Sequence, residues 1–471
     1  DPEMFTTELA RFNVEANLKP THLGGQCLSR MHKELDRAVD DVREACASLD
    51  ADVIMTGILP TLTLADVHID NITPLDRYRM LNDIMGRLCD GEFRTLIKGL
   101  DELHITHDNI LLEACNTSFQ VHFQVSPREF ARLYNLAQAV TAPVLAAAVN
   151  SPVLLQHRLW AETRIALFQQ SIDARSSVQQ ARGDRTRVWF GDHWIDDSVL
   201  EIFREDIARF RVVLATELDE NPIEVLARGE IPQLTALRLH NGTIYRWNRP
   251  CYGIRRGKPH LRIENRVLPA GPSTLDEIAN AAFFFGLMTA LTEEYGVISD
   301  VMSFDSAKAN FASAARHGLM AQFDWIHGKS HKASDLILDH LLPLAEQGLK
   351  HKKIDAVDID TYLGVLRERV ASGQTGAQWA VASLQNMEDG GTKEERYRAL
   401  VTASLAAQRA GKPVHEWPLA ELEPTRDWRH SHRVVAQFMT SDLFTVRPHD
   451  IVDLAAAMMQ WKHLRHVPVE D

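Results

Sequence analysis

The sequence predicts an α+β fold in which helices cover an antiparallel sheet that has one polar, ligand-binding face. Two observations support this prediction. Long helical patterns follow one another, especially after Leu275, and the strand-like stretches between them lack the regular strand–helix alternation of a parallel sheet. Those stretches also alternate apolar and polar residues with a period of two, which is typical of a strand with one face in the core.

Helical periodicity recurs along most of the chain. The predicted helices, in chain order, are Leu28–Leu49, Leu75–Leu88, Pro127–Val149, Leu154–Arg175, Asp197–Leu214, Thr274–Tyr295, Asp305–Gln322, Lys332–Glu346, Asp358–Ser372, Gly376–Met387 and Lys393–Ala410. The helix Thr274–Tyr295 has the clearest start, because Ser273 or Thr274 can cap it and acidic Asp276 and Glu277 lie in its first turn.

The predicted strands carry the functional signal. They are Arg11–Lys19, Ser118–Val125, Gly242–Pro250 and His260–Val267. If they share a sheet, one polar surface holds Glu15, Asn17, Gln120, His122, Arg262, Glu264 and Arg266. Such a surface is either solvated, or a structural ladder of ion pairs, or a ligand site. Gln, His and Asn have low strand propensity, and their recurrence here favours a ligand site.

The residue types on this surface suit metal-assisted chemistry on phosphate. Carboxylates together with neutral oxygen and nitrogen donors bind Mg²⁺ or Mn²⁺, and arginines bind phosphate through paired hydrogen bonds. The sequence has no GxxxxGK[ST] loop and no GxGxxG motif. It therefore predicts neither a P-loop nor a Rossmann nucleotide site.

Composition argues against several other classes. The net charge of −13 disfavours a nucleic-acid partner, and no apolar run has the roughly 20 residues of a membrane helix. The N-terminal segment shows no signal-peptide pattern, and the five cysteines are scattered without a CxxC pair. We therefore expect a cytoplasmic protein that binds neither nucleic acid nor a membrane. The sequence is compatible with a homodimer but does not define the oligomeric state.

Several motifs between Arg11 and Leu319 resemble the glutamate–cysteine ligase family in their order and spacing. The matching segments are "RFNVEANL", "CNTSFQVHFQV", "PVLAAAVNSPVLLQHRLWAETRIALF", "LHNGTIYRWNRP" and "HLRIENRVLPAGPSTLDEIANAAFFFGLM". The resemblance implies a glutamine-synthetase-like fold and an ATP-dependent ligase that joins a carboxylate to an amine. The implied cofactors are ATP and Mg²⁺ or Mn²⁺, and the implied substrates are an amino acid or another small carboxylate, and an amine.

The resemblance also implies roles for individual residues. The metal ligands would be Glu15, Asn17, His122 and Glu264; the ATP phosphates would contact Arg246, Arg262 and Arg266; the substrates would contact Gln120, Arg164 and Arg249; and Arg249 and Arg266 would act in catalysis. One position departs from the family. Its first strand usually has Glu-x-Glu, whereas this chain has Glu15-Ala16-Asn17, which removes one negative charge and leaves the number of metals open.

The implied reaction forms an acyl phosphate from ATP and the carboxylate, after which the amine displaces phosphate. The alternative is a catalytically retired ligase domain that senses nucleotides, and Asn17 favours it. The presence of Glu15, His122, Glu264 and Arg266 favours an active enzyme.

The chain is expected to divide into a catalytic domain (1–410), a linker (411–433) and a small C-terminal unit (434–471). In the last unit, the helical pattern "DIVDLAAAMMQWKHL" lies between the short strands "LFTVRP" and "RHVPVED". This order resembles the opening of a CBS motif and implies an adenine-nucleotide site in the full-length protein. A helix–strand appendage without a ligand is the alternative.

Overall fold

The chain folds into small, mainly antiparallel sheets and many helices. The computed structural model describes residues 4–89, 91–173, 175, 179, 182–213, 220–422, 443–461 and 464–470. The strands are β1 (Phe5–Thr7), β2 (Val14–Ala16), β3 (Phe93–Lys98), β4 (Glu102–His107), β5 (Val121–Val125), β6 (Val153–Leu154), β7 (His157–Arg158), β8 (Val188–Trp189), β9 (Tyr245–Arg246), β10 (Asn248–Arg255), β11 (Lys258–Asn265), β12 (Gln322–Asp324) and β13 (Ser330–Lys332).

The helices mostly begin and end near their predicted bounds. They are α1 (Cys27–Ala47), α2 (Asp76–Leu88), α3 (Phe130–Ala148), α4 (Thr163–Ser171), α5 (Val199–Arg209), α6 (Pro222–Ala227), α7 (Thr235–Gly242), α8 (Thr274–Glu294), α9 (Phe304–His317), α10 (Ala333–Leu336), α11 (Leu342–His351), α12 (Ala356–Ser372), α13 (Gly376–Asn386), α14 (Lys393–Arg409) and α15 (Val452–Trp461). A π-helical turn, Ile337–Leu341, joins α10 to α11. The predicted cap is confirmed, because the Ser273 hydroxyl accepts a hydrogen bond from the Asp276 amide.

Helices α3 and α8 form the centre of the main core. Nearly every residue of α3 is buried, and α8 is apolar on all sides through the run "AAFFFGLM". A helix that is apolar all round must be enclosed by other elements. Helices α1, α9, α11 and α12 pack around these two, and the sheet that carries the candidate site lies against α3.

Two glycines allow α8 and α11 to approach closely. A Cβ atom on Gly348 would lie 2.1 Å from the carbonyl oxygen of Gly286, and one on Gly286 would lie 2.5 Å from the carbonyl oxygen of Ala345. No side chain fits at these distances, so glycine is required where the two backbones touch.

A buried ion pair joins three helices at the start of α8. Arg369 of α12 donates to the Asp276 carboxylate at 2.8 Å, to the Asn280 side chain at 2.5 Å and to the Ala147 carbonyl at 3.1 Å. Asp276 also accepts a hydrogen bond from the Val414 amide at 3.0 Å. The first turn of α8 is therefore held by α3, α12 and the segment that follows α14.

The candidate site lies on a three-stranded antiparallel sheet with the order β10–β11–β5. A two-residue turn, Arg256-Gly257, joins β10 to β11, and both residues have positive φ values, as hairpin turns of this length require. On the back of the sheet, Asn248 donates to Gln138 at 2.6 Å and to Thr141 at 2.9 Å, both on α3. This buried network fixes the sheet against α3 and leaves the other face open.

The predicted first strand differs most from the structure. Only β2 forms within Arg11–Lys19, and it pairs with β1 rather than with the three-stranded sheet. Val14 is 55% exposed and Phe12 is also exposed, so the expectation that they enter the core is wrong. The alternation of residue types is present, but β2 belongs to a two-stranded sheet with β1, and both its apolar and its polar residues line a cleft.

The start of the predicted helix Leu154–Arg175 is also wrong. The short strands β6 and β7 occupy its first residues, and Leu155 and Gln156 between them have positive φ values. Helix α4 begins only at Thr163, because Glu162 just before it is buried and accepts hydrogen bonds from the Asn150 amide and the Ser151 hydroxyl.

Part of the predicted linker is packed. Trp417 is 4% exposed and, with Val414 and Ala420, joins a second hydrophobic cluster on α13 and α14. The remaining linker residues, 423–433, and the first residues of the tail, 434–442, lie outside the described residues. In the described tail, α15 is present and Val446 forms a parallel bridge with Val469. No helix among the described residues is long and apolar enough to span a bilayer.

The glycine contact predicts a large difference between two Gly→Ala substitutions. Gly348→Ala forces α8 and α11 apart, and we expect it to lower the free energy of unfolding by about 1–3 kcal/mol. Gly364 lies within α12, and a Cβ atom added to it would have no neighbour within 4 Å.

Gly364→Ala is the matched control, and better helix propensity predicts a gain of about 0.5–1 kcal/mol. Urea unfolding followed by circular dichroism measures both variants. Equal effects of the two substitutions would show that the backbone contact does not limit this helix pair.

Candidate active site

A large cleft opens beside the polar face of the sheet. Its volume is about 2450 Å³, and its walls come from the β1–β2 hairpin, the β10–β11–β5 sheet, the loop before β5 and the end of α11. The predicted site residues that line it are Glu15, Asn17, Gln120, His122, Arg164, Arg249, Arg262 and Arg266. Glu264 lies just beneath this surface, and Arg246 lies elsewhere.

Three predicted site residues form a row across the sheet. Glu264 on β11 stands opposite Arg249 on β10 and opposite His122 on β5. The Glu264 carboxylate accepts hydrogen bonds from Arg249 at 3.0 Å, from Arg266 at 2.8 Å and from the Cys251 thiol at 3.1 Å. Because Glu264 is only 2% exposed, these three donors satisfy it almost completely.

The charges in this row act on one another. Burial opposes ionisation of Glu264, but the charges of Arg266 and Arg249 outweigh it and hold the pKa of this carboxyl at about 2. Desolvation in the cleft lowers the pKa of His122, and the nearby arginines add to this effect against the attraction of Glu264. His122 is therefore a neutral imidazole at pH 7, the form that can bind a metal or accept a proton.

Three carboxyl groups share the cleft with the arginines, and we call Glu8, Glu15 and Glu113 the carboxyl trio. Burial and the neighbouring Glu15 raise the pKa of Glu8 to about 7. Burial, with Glu8 as the next cause, raises the pKa of Glu113 to about 7, and Arg266 opposes the shift. Glu15 therefore makes ionisation of Glu8 less favourable, and Glu8 makes ionisation of Glu113 less favourable.

Sequence reasoning found only Glu15 of the carboxyl trio. Glu8 follows β1, and no alternation marks it. Glu113 had a detectable signal, because it is the single charged residue within the apolar run "ILLEAC", which forms the 3₁₀ segment Ile110–Cys115. A lone carboxylate in an apolar run is either paired or functional.

The predicted metal ligands fall into two groups. Glu15 and Asn17 lie on the β1–β2 hairpin, where Glu15 accepts from the Thr6 hydroxyl at 2.8 Å and Asn17 donates to it at 3.2 Å, whereas His122 and Glu264 lie on the sheet. Within the described ranges, no three His, Cys, Asp or Glu side chains are grouped as a ready metal site. The oxygens of Glu264 are already bound by arginines and a thiol. The carboxyl trio is not a ready metal site in this sense either, but its side chains line the cleft and are of the type that a divalent cation prefers as ligands.

Arg246 is not available to a nucleotide. It is 3% exposed and binds the Asp206 carboxylate at 2.7 Å and the Glu205 carboxylate at 2.7 Å, with its guanidinium stacked 4.2 Å from the Trp189 ring centre. This placement corrects its predicted contact with ATP. Arg246 and buried Asn248 are two residues apart and therefore lie on the same side of the chain. Arg249, the next residue, lies on the other side.

Arg164 reaches the cleft from within the core. Its guanidinium pairs with buried Glu162 at 3.0 Å and donates to the Val267 carbonyl at 3.1 Å and to the Ser118 hydroxyl at 2.5 Å. Most of its donors are thus used by the protein. The predicted contact with the substrate carboxylate stays a prediction, and Arg164 also positions the loop that leads into β5.

Several polar atoms at the cleft lack partners within the described part of the chain. Both amide atoms of Asn116 and the Nε atoms of Arg249 and Arg262 are buried without a hydrogen bond. Unsatisfied buried donors and acceptors are costly, so these three residues are available for hydrogen bonds to water or to a polar ligand.

Glu277 is a further buried carboxyl group at the cleft. It accepts a hydrogen bond from the Gly271 amide at 2.6 Å, and burial raises its pKa to about 8. The pKa of Glu277 in the folded protein is above its value of about 4.3 in the unfolded chain. The stability that protonated Glu277 gives to the fold is therefore fully present below about pH 4 and is lost as the pH rises through 8.

We expect Glu277→Gln to weaken the dependence of stability on pH. The free energy of unfolding of the wild type should fall between about pH 5 and about pH 8. In the variant this fall should be smaller by at least about 1 kcal/mol, because Gln keeps the acceptor but does not ionise. Urea unfolding at both pH values tests this. Exposed Glu394→Gln is the control and should match the wild type; a Glu277→Gln variant that also matches it would exclude a neutral Glu277.

Comparison with known proteins places this chain in a family. No curated protein matches the chain significantly. Among solved structures, the chain is similar to the Pup ligase PafA of the prokaryotic ubiquitin-like modification pathway in complex with ADP, with 8% identity and a TM-score of 0.36. The similarity covers 84% of this chain and 66% of the PafA chain. The sequence model of glutamate-cysteine ligase family 2 matches residues 1–403, and the chain belongs to that family.

Proposed function

We propose that the protein is an ATP-dependent ligase that joins a carboxylate to an amine through an acyl-phosphate intermediate. One observation supports this most directly: Arg249, Arg262 and Arg266 share a cleft with the carboxyl trio. Arginines suit the phosphates of ATP, and carboxylates suit the divalent cation that accompanies them. Membership of glutamate-cysteine ligase family 2 agrees with this chemistry.

The arginines have distinct positions in the proposed reaction. Arg262 is partly exposed and lines the cleft, so its guanidinium can bind a phosphate oxygen directly. Arg249 and Arg266 are held by Glu264, which fixes their direction before the substrate arrives. Fixed donors stabilise charge on the transferred phosphoryl group without reorganising. The carboxyl trio, with Asn17 and His122 as further predicted ligands, would hold Mg²⁺ or Mn²⁺, which neutralises triphosphate charge.

The proposed steps balance without a protein nucleophile. A carboxylate oxygen of the substrate attacks the γ-phosphorus, the bond to the bridging oxygen breaks, and ADP leaves. The amine nitrogen then attacks the acyl carbon, phosphate leaves with the bonding electrons, and the amine gives up a proton. That proton passes to solvent, which reaches the cleft. Gln120 is proposed to contact the substrate nearby.

The rival function is a retired ligase domain that senses nucleotides. Asn17 supports it, since the family's first strand usually has a second Glu there. Glu8 and Glu113 weaken this argument, because they supply carboxylates to the same cleft from positions outside that strand.

The adenine-nucleotide site in the tail stays a prediction. Where two short strands were predicted on either side of α15, the described tail has only a single bridge between Val446 and Val469, which does not support a CBS motif. The family match ends before this segment. Calorimetry with AMP on the chain and on a version that ends near residue 433 distinguishes binding in the tail from binding elsewhere.

Release of ADP is the direct test of the proposed function. The protein is incubated with ATP, Mg²⁺ and a panel of amino acids paired with amines, and ADP is measured with a coupled assay. We expect ADP release that requires both a carboxylate and an amine. Nucleotide binding without ADP release for any pair would favour the retired domain.

Two substitutions separate ligand binding from structure. Arg262→Gln should raise KM for ATP by about tenfold with little change in Tm, because it removes a charged hydrogen bond from an open site. Glu264→Gln should instead lower the stability by about 3 kcal/mol as well as the activity, because it leaves Arg249 and Arg266 adjacent without their anion. Steady-state kinetics and thermal unfolding measure both. An unchanged KM in Arg262→Gln would remove Arg262 from the ATP site.

A further inference from the structure

The β10–β11 hairpin carries positive charge that extends beyond the part of the cleft proposed for the nucleotide. Lys258, His260 and Arg262 lie on alternate positions of β11, Arg266 follows its end, and we call these four residues the basic track. Arg262 donates a hydrogen bond to the His260 ring at 2.7 Å, so their side chains share one face and His260 is an uncharged member of the track. A Cβ atom on the opposite residue, Gly253, would lie 3.0 Å from His260 and 3.1 Å from Arg262, which shows that both side chains lie over this glycine.

The basic track is long. Its ends are eight residues apart on an extended strand, which corresponds to about 27 Å. It begins at the exposed hairpin tip, where Arg255 pairs with Lys258, and ends in the cleft at Arg266. Glu264 lies on the same face, but it is buried and neutralised by Arg249 and Arg266.

The opposite walls of the cleft are also basic. Lys352 and Lys353 follow α11, and Lys19 follows the β1–β2 hairpin; all three line the cleft. Within the part of the chain that the structure describes, these lysines and Arg255, Arg256 and Lys258 form no ion pair with a carboxylate. Such clustering is not a result of composition, because the whole chain has a net charge of −13. Like charges repel, so the arrangement favours an anionic ligand rather than stability.

The size and shape of the cleft limit what that ligand can be. Pockets for single small molecules are typically about 300–1,000 Å³. The volume of about 2450 Å³ leaves room for a larger substrate beside ATP. A linear polyanion matches a straight basic track better than a free amino acid does. A nucleic acid has no carboxylate group for the proposed ligase reaction, which favours a peptide. Aromatic residues such as Phe123 and Tyr252 also line the cleft, so a single-stranded nucleic acid is the comparison that the test must include.

We propose that the carboxylate substrate is an acidic peptide segment of about eight residues, bound along the basic track with its reacting carboxylate near Arg266. The identity of the reacting group rests on the proposed ligase function, whereas the binding surface does not. No chemical step is added: the peptide carboxylate takes the place of a small carboxylate in the acyl-phosphate reaction.

Binding of a labelled octaglutamate peptide tests the proposal independently of catalysis. Fluorescence anisotropy with the whole chain measures the dissociation constant, with octaglutamine and an eight-nucleotide oligothymidylate as comparison probes. We expect octaglutamate to bind, its affinity to fall with added salt, and octaglutamine not to bind. Oligothymidylate that binds as tightly as octaglutamate would overturn the choice of a peptide.

A variant with reversed charges at the tip of the β10–β11 hairpin tests the role of the basic track. Arg255→Glu with Lys258→Glu should weaken octaglutamate binding by at least roughly tenfold, since two exposed attractions become repulsions. Lys308→Glu with Arg398→Glu is the control, because both residues are exposed and lie outside the cleft. Equal affinities of the two double variants would refute the basic track.

The outcomes separate this inference from the proposed function. Octaglutamate binding without ADP release for any substrate would retain the binding surface and reject the ligase. ADP release with free amino acids, together with no octaglutamate binding, would retain the ligase and reject the acidic peptide.

Discussion

The buried carboxylate of Glu264 determines how the cations of the cleft are arranged. It draws Arg249 from the neighbouring strand and Arg266 from its own strand into one cluster, against their mutual repulsion. Burial alone would make this carboxyl group neutral, so the two arginines and the carboxylate depend on one another for their charges. The other polar residues of the sheet face are arranged around this cluster. His122 lies next to it, and Arg262 extends beyond it towards solvent.

The sheet face can be predicted because its signal is local. In a strand, alternate side chains share a face, so His260–Val267 indicates that Arg262, Glu264 and Arg266 lie together. Register cannot be predicted in the same way. That Glu264 stands between Arg249 and His122 depends on the turn Arg256-Gly257 and on long-range pairing with β5. The sequence therefore suggests a metal ligand at a residue that the structure shows to be paired with arginines.

Other errors have the same physical origin. Alternation in Arg11–Lys19 gives the correct periodicity but the wrong environment, because nothing local tells whether a helix layer will cover a strand. Arg246 looks like Arg249 in sequence, yet the strand points them to opposite sides, and only the buried carboxylates of Glu205 and Asp206 reveal the difference. Glu113 shows no periodicity in its 3₁₀ segment, so the only sign of it in the sequence is a lone carboxylate within an apolar run.

The hydrogen bond from the Val414 amide to Asp276 has a consequence for the extent of the autonomous folding unit. Asp276 is shared by Arg369 and by the backbone at residue 414, and Trp417 and Ala420 complete the cluster on α13 and α14. The family match ends at residue 403, within α14. A fragment cut at that similarity boundary would expose the apolar sides of α13 and α14 and would remove the hydrogen bond from Val414 to Asp276, leaving the bond from the Ser273 hydroxyl to the same oxygen. The smallest fragment that retains these contacts extends past residue 420, so the physical boundary of the domain lies beyond its evolutionary one.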